Sequence, residues 1–323
     1  MARPARPAGV LVVGDVINDI LVKVPGAIAA GEDNPAVIRT RPGGSAANQA
    51  AWLGWMGADV TFAGRAGAGD AEFHRAELAR FGVRAHLAAD AAVSTGSIVV
   101  LVGADGERTF LTDRGANLRL AASDAPAALL DDVALLHLTG YTLFEPGPRE
   151  VALGLIARAR SRGIPFTVDP ASAAFLAGLA PGEFLRWTDG AAACFANRDE
   201  AAVLASAAEV PAAAASAATM AAAFLARHYD AVVIKLGAHG ALLATAGTGA
   251  RRFPAHPVTV RDTTGAGDAF CAGFLATWLS GEGGPGRPVA PDGRVRPSLL
   301  AAMDAGARAA AIAVSGLGGR PEP

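Results

Sequence analysis

Residues 262–275 read DTTGAGDAFCAGFL. Two carboxylates, two threonines and two glycines crowd into its first seven residues, and the chain then turns apolar. Phe270, Phe274, Leu275 and Trp278 recur at helical spacing, which predicts a helix that packs one face inward. Gly265, Ala266 and Gly267 stand at its mouth. Free backbone N–H groups at a helix start, joined by the helix dipole, attract anions, and glycine lets a ligand come close. Asp268, in or just before the first turn, could take a proton from a hydroxyl as that hydroxyl attacks phosphorus. The amides would then carry charge on the transferring group. The same residues also read as an ordinary helix start, because Asp is a favoured N-cap worth about 1 kcal/mol. This is not a Walker loop, since no Gly-Lys-Ser/Thr follows.

The string GAGDA also occurs at Gly67–Ala71, ahead of a helix with Glu72, His74, Arg75 and Glu77. It is too short to signal duplication, and Gly64–Gly69 lacks the full dinucleotide spacing.

Outward from the cluster, strand and helix signals alternate. VLVVGD reads as a buried strand ending in a turn. Pro42-Gly43-Gly44 is a turn, and Ser45 is expected to cap the helix SAANQAAWLGWMG, closed by Gly57. DVTFAGRAG is a strand and AEFHRAELARFG a helix. ALLHLTG, PFTVDP, AAACFAN and DAVVIKLGAHGALLAT supply further strands, separated by helices such as PREVALGLIARARSRG and NRDEAAVLA. The Ala-rich stretch to Ala226 reads as helical despite Glu209 and Pro211. GEGGPGRPVAPDGRVRPS is a loop before a last helix. This alternation predicts an α/β fold with a mainly parallel sheet covered on both faces. Two segments break the rhythm, about 15–43 and 93–116. They are strand-rich without helices, the second being a hairpin around Ala104-Asp105-Gly106. The expectation is one domain, 1–323, with these segments as a small β-sheet lid.

The bulk numbers narrow the function. The chain has 323 residues, 52% hydrophobic, enough for a large core. A net charge of −2 with no basic run excludes the footprint of a nucleic-acid binder. Two cysteines, Cys194 and Cys271, read as reduced core thiols and suit a reducing cytosol. The apolar run after MARPARPAG is too short for a signal-peptide core, and the Ala-rich segment is too weakly apolar to span a membrane. A cytoplasmic protein is expected.

PGGSAANQAAWLGWMGADVTFAGRAGAGD, Pro42–Asp70, and DTTGAGDAFCAGFL, in this order, resemble the two signatures of the ribokinase-like carbohydrate kinases, also called the phosphofructokinase B family. VVGDVINDILV, ERTFLTDRGAN, FTVDP, NRDE, VIKLGAHG and AAIAVSG extend the likeness over nearly the whole chain. The resemblance implies a Rossmann-like three-layer α/β domain of about nine strands with a β lid. It also implies ATP- and Mg²⁺-dependent phosphorylation of a hydroxyl, often a sugar CH₂OH. Asp268 matches the catalytic base, and the amides of Gly265, Ala266 and Gly267 the anion hole. Asp19, Gly43, Gly44 and Asn48 match substrate contacts. Asn197 and Glu200 match an N-x-x-E motif that holds waters around Mg²⁺, though a capping box explains the same pair. Lys235, Gly237 and Gly240 match positions near the nucleotide. Asp262 and Thr264 match residues beside a monovalent-cation (K⁺) site of some members, and a structural turn explains Asp262 equally well.

The chain departs from the family in two places. DPASAAF, Asp169–Phe175, lacks the Asn and Arg of a D-x-N-x-R pattern, and HLTGY, His137–Tyr141, lacks the acidic contact of ribokinase itself. Ribose, fructose and keto-deoxy acids are therefore not specified. His137 and Tyr141 either line the pocket or, for His137, sit as a plain strand residue. A small sugar is the expected acceptor. A nucleoside is the alternative within the fold, disfavoured by a lid with little aromatic beyond Phe110. A non-catalytic binding protein is the alternative outside it. As in ribokinase, lid strands with an apolar face, here Val22, Val24, Ile98 and Val100, are expected to pair two copies into a homodimer.

Overall fold

The computed structural model describes residues 9–102, 108–180, 182–206, 217–281, 284–286, 288–290 and 294–322. In chain order its strands are β1 (Val10–Val13), β2 (Ile17–Lys23), β3 (Val37–Gly43), β4 (Val60–Gly67), β5 (Arg84–Asp90), β6 (Thr95–Val102), β7 (Arg108–Gly115), β8 (Leu135–Thr139), β9 (Phe166–Asp169), β10 (Ala193–Asn197), β11 (Ala231–Lys235), β12 (Ala241–Thr245) and β13 (Gly249–Phe253). The helices are α1 (Ser45–Trp55), α2 (Ala71–Ala79), α3 (Pro146–Ser161), α4 (Ala173–Ala177), α5 (Glu183–Thr188), α6 (Arg198–Ala205), α7 (Ala217–Leu225), α8 (Ala266–Ser280) and α9 (Pro297–Ser315).

Nine strands form one sheet in the order β13-β12-β11-β10-β9-β8-β1-β4-β5. It is parallel from β5 to β11, and the hairpin strands β12 and β13 run antiparallel. Alternate residues of β1 feed opposite cores. Val10 and Val12 join Trp52, Phe195, Phe274 and Trp278 on the α1, α8 and α9 side. Leu11 and Val13 join Leu155, Ile156, Phe166 and Phe184 on the other. A strand buried on both faces must be apolar at every position, which is why VLVV reads as a continuous run. Helix α9 is long and apolar enough to cross a membrane, but it lies against α8, where small residues let the backbones close in. A Cβ on Gly306 would stand 2.9 Å from the Phe270 ring.

The second sheet, β3-β2-β6-β7, is built from the two helix-free segments. Its register corrects one expectation. Val22 pairs with Leu101, whereas Ile98 and Val100 pair with Asp19 and Leu21. Neighbours in register share a face, so Val22 points away from the face of Ile98 and Val100. Val24 is buried.

Strands β5 and β13 escaped the sequence reading. RAHLAAD and GARRF are edge strands, half-exposed, and carry no apolar run to announce them. Ala104, Asp105, Gly106, Glu209 and Pro211 lie outside the described residues.

Candidate active site

The carboxyl ends of the parallel strands converge. Asp15 lies two residues past β1, while Asp169, Asn197 and Lys235 are the last residues of β9, β10 and β11. Ligands of open parallel sheets bind at this edge.

Helix α1 begins differently from expectation. Ser45 is its first residue and caps nothing, and Gly44 is the N-cap with φ 94°. The capping acceptor comes from the β1–β2 turn, where Asp15 takes the amides of Ser45 (3.1 Å) and Ala46 (3.2 Å). A Cβ on Gly44 would stand 2.6 Å from the Asp15 carbonyl oxygen, so this turn admits only glycine. With its amide end satisfied by Asp15, Ser45 turns its hydroxyl to Asp268 Oδ1 at 2.7 Å. Gln49 Nε2 donates to the same oxygen at 3.1 Å, and Asn48 Nδ2 donates to Oδ2 at 3.2 Å. Ser45, Asn48 and Gln49 stand at i, i+3 and i+4, one face of an otherwise Ala-rich helix.

Three donors thus hold Asp268, which sits at the third position of α8 and is half-buried. A carboxylate has about four lone-pair sites, so one remains for a further donor. Burial pushes its pKa up to about 7, opposed by the hydrogen bonds from Ser45, Gln49 and Asn48, with Asp169 adding to the rise. Behind Gln49 stands His137, fully buried. Its Nε2 meets Gln49 Oε1, and its Nδ1 lies 2.7 Å from the Thr167 hydroxyl. Burial lowers the pKa of His137 to about 4, so the ring is neutral and serves to orient Gln49. Neither Ser45 as a ligand of Asp268 nor Gln49 was singled out in the sequence. The polar i, i+3, i+4 stripe was the available signal.

At the mouth of α8, Gly265 adopts φ 72°. The amide of Ala266 makes a long 3.3 Å turn contact to the Thr263 carbonyl. The amides of Gly265 and Gly267 bond no acceptor among the described residues. Lys235 closes in from β11, so that a Cβ on Gly267 would lie 3.3 Å from its Nζ. Lys235 donates to Asp169 Oδ2 at 2.8 Å. Burial works against its charge, but Asp169 and Glu200 more than offset this and raise its pKa. Among the described residues one ammonium and two open amides therefore meet at the start of α8.

Asn197 and Glu200 form a complete capping box, with the Asn197 amide on Glu200 Oε2 (2.7 Å), Asn197 Nδ2 on Oε1 (2.7 Å), and the Glu200 amide on Asn197 Oδ1 (2.9 Å). Burial, then the charge of Asp169, raises the Glu200 pKa to about 7. Asp262 also makes the structural turn. Its Oδ1 accepts from the amide (3.0 Å) and hydroxyl (2.7 Å) of Thr264. Gly237 and Gly240 bracket the β11–β12 turn and line a mostly apolar cavity of about 630 Å³ with Val258, Thr263, Ala266 and Phe270. Its wall includes the α8 mouth, and its size and lining suit a purine nucleotide base and sugar.

On the opposite side, Asp19 projects from β2 over Gly43. A Cβ there would meet Asp19 Oδ2 at 2.1 Å, so the glycine makes room for the chain's own carboxylate. Burial and the charge of Asp15 raise the Asp19 pKa to about 6, while Arg320 pulls it down. Arg320, which no sequence motif flagged, donates from Nε to Asn48 Oδ1 at 3.2 Å and from Nη2 to the Gly43 carbonyl at 3.3 Å. Tyr141 lies under Arg114, whose guanidinium carbon stands 4.0 Å from the ring centroid. In the other GAGDA copy, Asp70 accepts from Asn18 Nδ2 at 2.9 Å.

This arrangement has counterparts. A family model described as pfkB family carbohydrate kinase matches residues 8–322. The chain belongs to that family. Family members of known activity are similar along most of its length. The aminoimidazole riboside kinase of Salmonella typhimurium is 32% identical over 249 residues, 73% of each chain. The ATP-dependent ribose-1-phosphate kinase of Halopiger xanaduensis is 30% identical over 283 residues, 84% of this chain and 85% of the other. Among solved structures, aminoimidazole riboside kinase from Salmonella enterica, in complex with aminoimidazole riboside and an ATP analog, superposes with a TM-score of 0.71. It is 26% identical and covers 96% of this chain and 95% of its own. The chain is thus a phosphotransferase with an alcohol group as acceptor, of the sugar and nucleoside kinase class.

Proposed function

We propose that this kinase moves the γ-phosphoryl group of ATP to a hydroxyl, of the CH₂OH type, on a small sugar, with Asp268 as general base. The observation that carries the reading is Asp268 itself. It is held by three donors at a helix mouth, keeps one lone pair, and titrates near neutrality. A base matched to the working pH takes the acceptor proton as the oxygen attacks. The amides of Gly265 and Gly267, with Ala266 and the Lys235 ammonium beside them, lie where charge on the migrating group would be met. ATP would occupy the cavity by Gly237 and Gly240. Asn197 and Glu200 would hold the waters of a magnesium ion through lone pairs their capping box leaves over, and that ion would supply neutralisation of the phosphate charge. The loop of Asp262 and Thr264 is the place for a monovalent cation. Asp19, Asn48, Gly43 and Gly44 would orient the acceptor under the small sheet, which acts as a lid that excludes water. A second copy would pack against that sheet, and the enzyme would work in the cytoplasm.

A nucleoside acceptor is the second reading, favoured by the likeness to a riboside kinase. A coupled assay of ATP consumption across pentoses, hexoses, their phosphates and nucleosides decides between them. In the same assay Asp268→Asn should lower kcat by about 10²–10⁴-fold while ATP affinity measured by calorimetry stays within about threefold. A variant that keeps most of its kcat rejects the base assignment.

A further inference from the structure

The segment after α9 runs back into the acceptor side and is pinned there. The Gly318 amide donates to Asp262 Oδ2 at 3.0 Å, and Trp52 Nε1 donates to the Gly319 carbonyl at 3.0 Å. A Cβ on Gly319 would stand 2.5 Å from Asn48 Nδ2, so the backbone is wedged against α1. This wedge delivers Arg320.

The guanidinium is poorly matched by what surrounds it. Its two hydrogen-bond partners, Asn48 Oδ1 and the Gly43 carbonyl, are neutral, and both contacts are long. Nη1 is buried and has no hydrogen-bond partner among the described residues. Among the described residues no carboxylate lies within 4.0 Å of it, although Asp19 and Glu77 act from farther away. Neighbouring arginines are different: Arg65 pairs with Asp90 and Asp124, Arg119 with Asp90, and Arg114 with Asp15. Burial pulls the Arg320 pKa down to about 10, more strongly than Glu77 and Asp19 hold it up. A half-buried cation with a buried donor and no anion beside it is costly. A planar guanidinium whose Nη1 bonds nothing among the described residues and whose Nη2 is loosely held has donors to spare for a carboxylate or phosphate. Its position relative to the chemistry is also fixed. Arg320 donates to Asn48, and Asn48 donates to Asp268, so one amide side chain separates the guanidinium from the base.

We infer that Arg320 is a specificity-determining residue that binds an anionic substituent of the acceptor, so that the substrate is a sugar phosphate or sugar acid rather than a neutral sugar. This rests on the kinase reading and narrows its acceptor. The phosphoryl group goes to a hydroxyl at Asp268, and the substituent already present sits at Arg320.

Calorimetric titration tests it on Asp268→Asn protein, which holds acceptors without turning them over. The probes are D-ribose against ribose 1-phosphate and ribose 5-phosphate, D-fructose against fructose 6-phosphate, and D-glucose against gluconate. At least one anionic probe should bind about 30-fold or more tighter than its neutral parent. Adding Arg320→Gln should abolish that preference, and Arg320→Lys should keep part of it, which a purely packing role would not explain. The phosphate and gluconate arms tell the two anions apart. Equal binding of parents and anions, or an equal loss of both in Arg320→Gln, overturns the inference. ATP turnover by protein with Asp268 intact is read in parallel. Turnover of neutral sugars without anion preference leaves the kinase reading standing and removes this one. Arg320-dependent anion binding without any turnover does the reverse.

Discussion

Asp268 shows how one residue can be both strained electrostatically and firmly held. Ser45, Asn48 and Gln49 favour its charged form, and burial disfavours it by more, leaving a pKa of about 7 against an ordinary 3.8. Two measurements follow. The kcat/KM for the preferred acceptor should rise with pH through about 7 and level off above, because only the anion accepts the proton. A profile flat from pH 5.5 to 8 would leave Asp268 without the role. Stability carries the opposite sign. The native state keeps the proton between about pH 4 and 7 while the unfolded chain has lost it, so this carboxyl's contribution is full below its unfolded pKa and declines as pH rises through about 7. Asp268→Asn removes the titration. Its Tm relative to the parent should therefore climb between pH 4 and 7 and then stay constant. A difference that does not move with pH contradicts the burial account.

At the scale of elements, the decisive unit is the meeting of α1 with the start of α8. The sequence made one half of it readable: Gly265, Ala266, Gly267 and Asp268 before an apolar face announce a helix mouth. The other half was hidden because its logic is long-range. Ser45 looked like a cap, yet it is the first helical residue: its own amide and that of Ala46 go to the carboxylate of Asp15, thirty residues earlier, the amide of Ala47 goes to the Asp15 carbonyl, and the Ser45 hydroxyl is left for Asp268. Asn197 and Glu200 were readable both as a capping box and as a metal motif, since the local spacing is the same for both. Arg320 was illegible because nothing local marks a residue whose partners, Gly43 and Asn48, lie more than 250 residues away. The strain at Gly265 gives this junction a direct test. Its φ of 72° costs an alanine about 1–2 kcal/mol, and a new Cβ would stand 2.5 Å from the Gly319 backbone. Gly265→Ala should lower the urea midpoint by more than the φ penalty alone implies. It should also weaken acceptor binding, because the segment carrying Arg320 must move. A variant with the parent's midpoint would show that the wedge is looser than its geometry.

At the scale of the molecule, the main sheet was legible because strands buried on both faces must be apolar throughout, and the small sheet because two strand-rich segments lacked helices. What periodicity could not supply was the register that assigns faces. That register now makes the association of two copies a specific proposition. Ile20, Val22, Ile38, Val99, Leu101 and Leu111 share the face opposite Asp19. Ile38 is 63% exposed and Leu111 55%, an apolar surface that a second copy would cover under the proposed assembly. Under the proposed function the Asp19 face is turned to the acceptor, which leaves the opposite face for a second chain. Replacing Ile38 and Leu111 together by Asp places two carboxylates on that face without touching Asp19 or Asp268. Light scattering coupled to size exclusion, at tens of micromolar protein, should show a dimer for the parent chain and a monomer for the double variant. If the lid is held in place by its neighbour, KM for the acceptor should rise in the variant more than kcat falls. A parent chain that runs as a monomer at that concentration, or a double variant that stays dimeric, removes this face from the assembly.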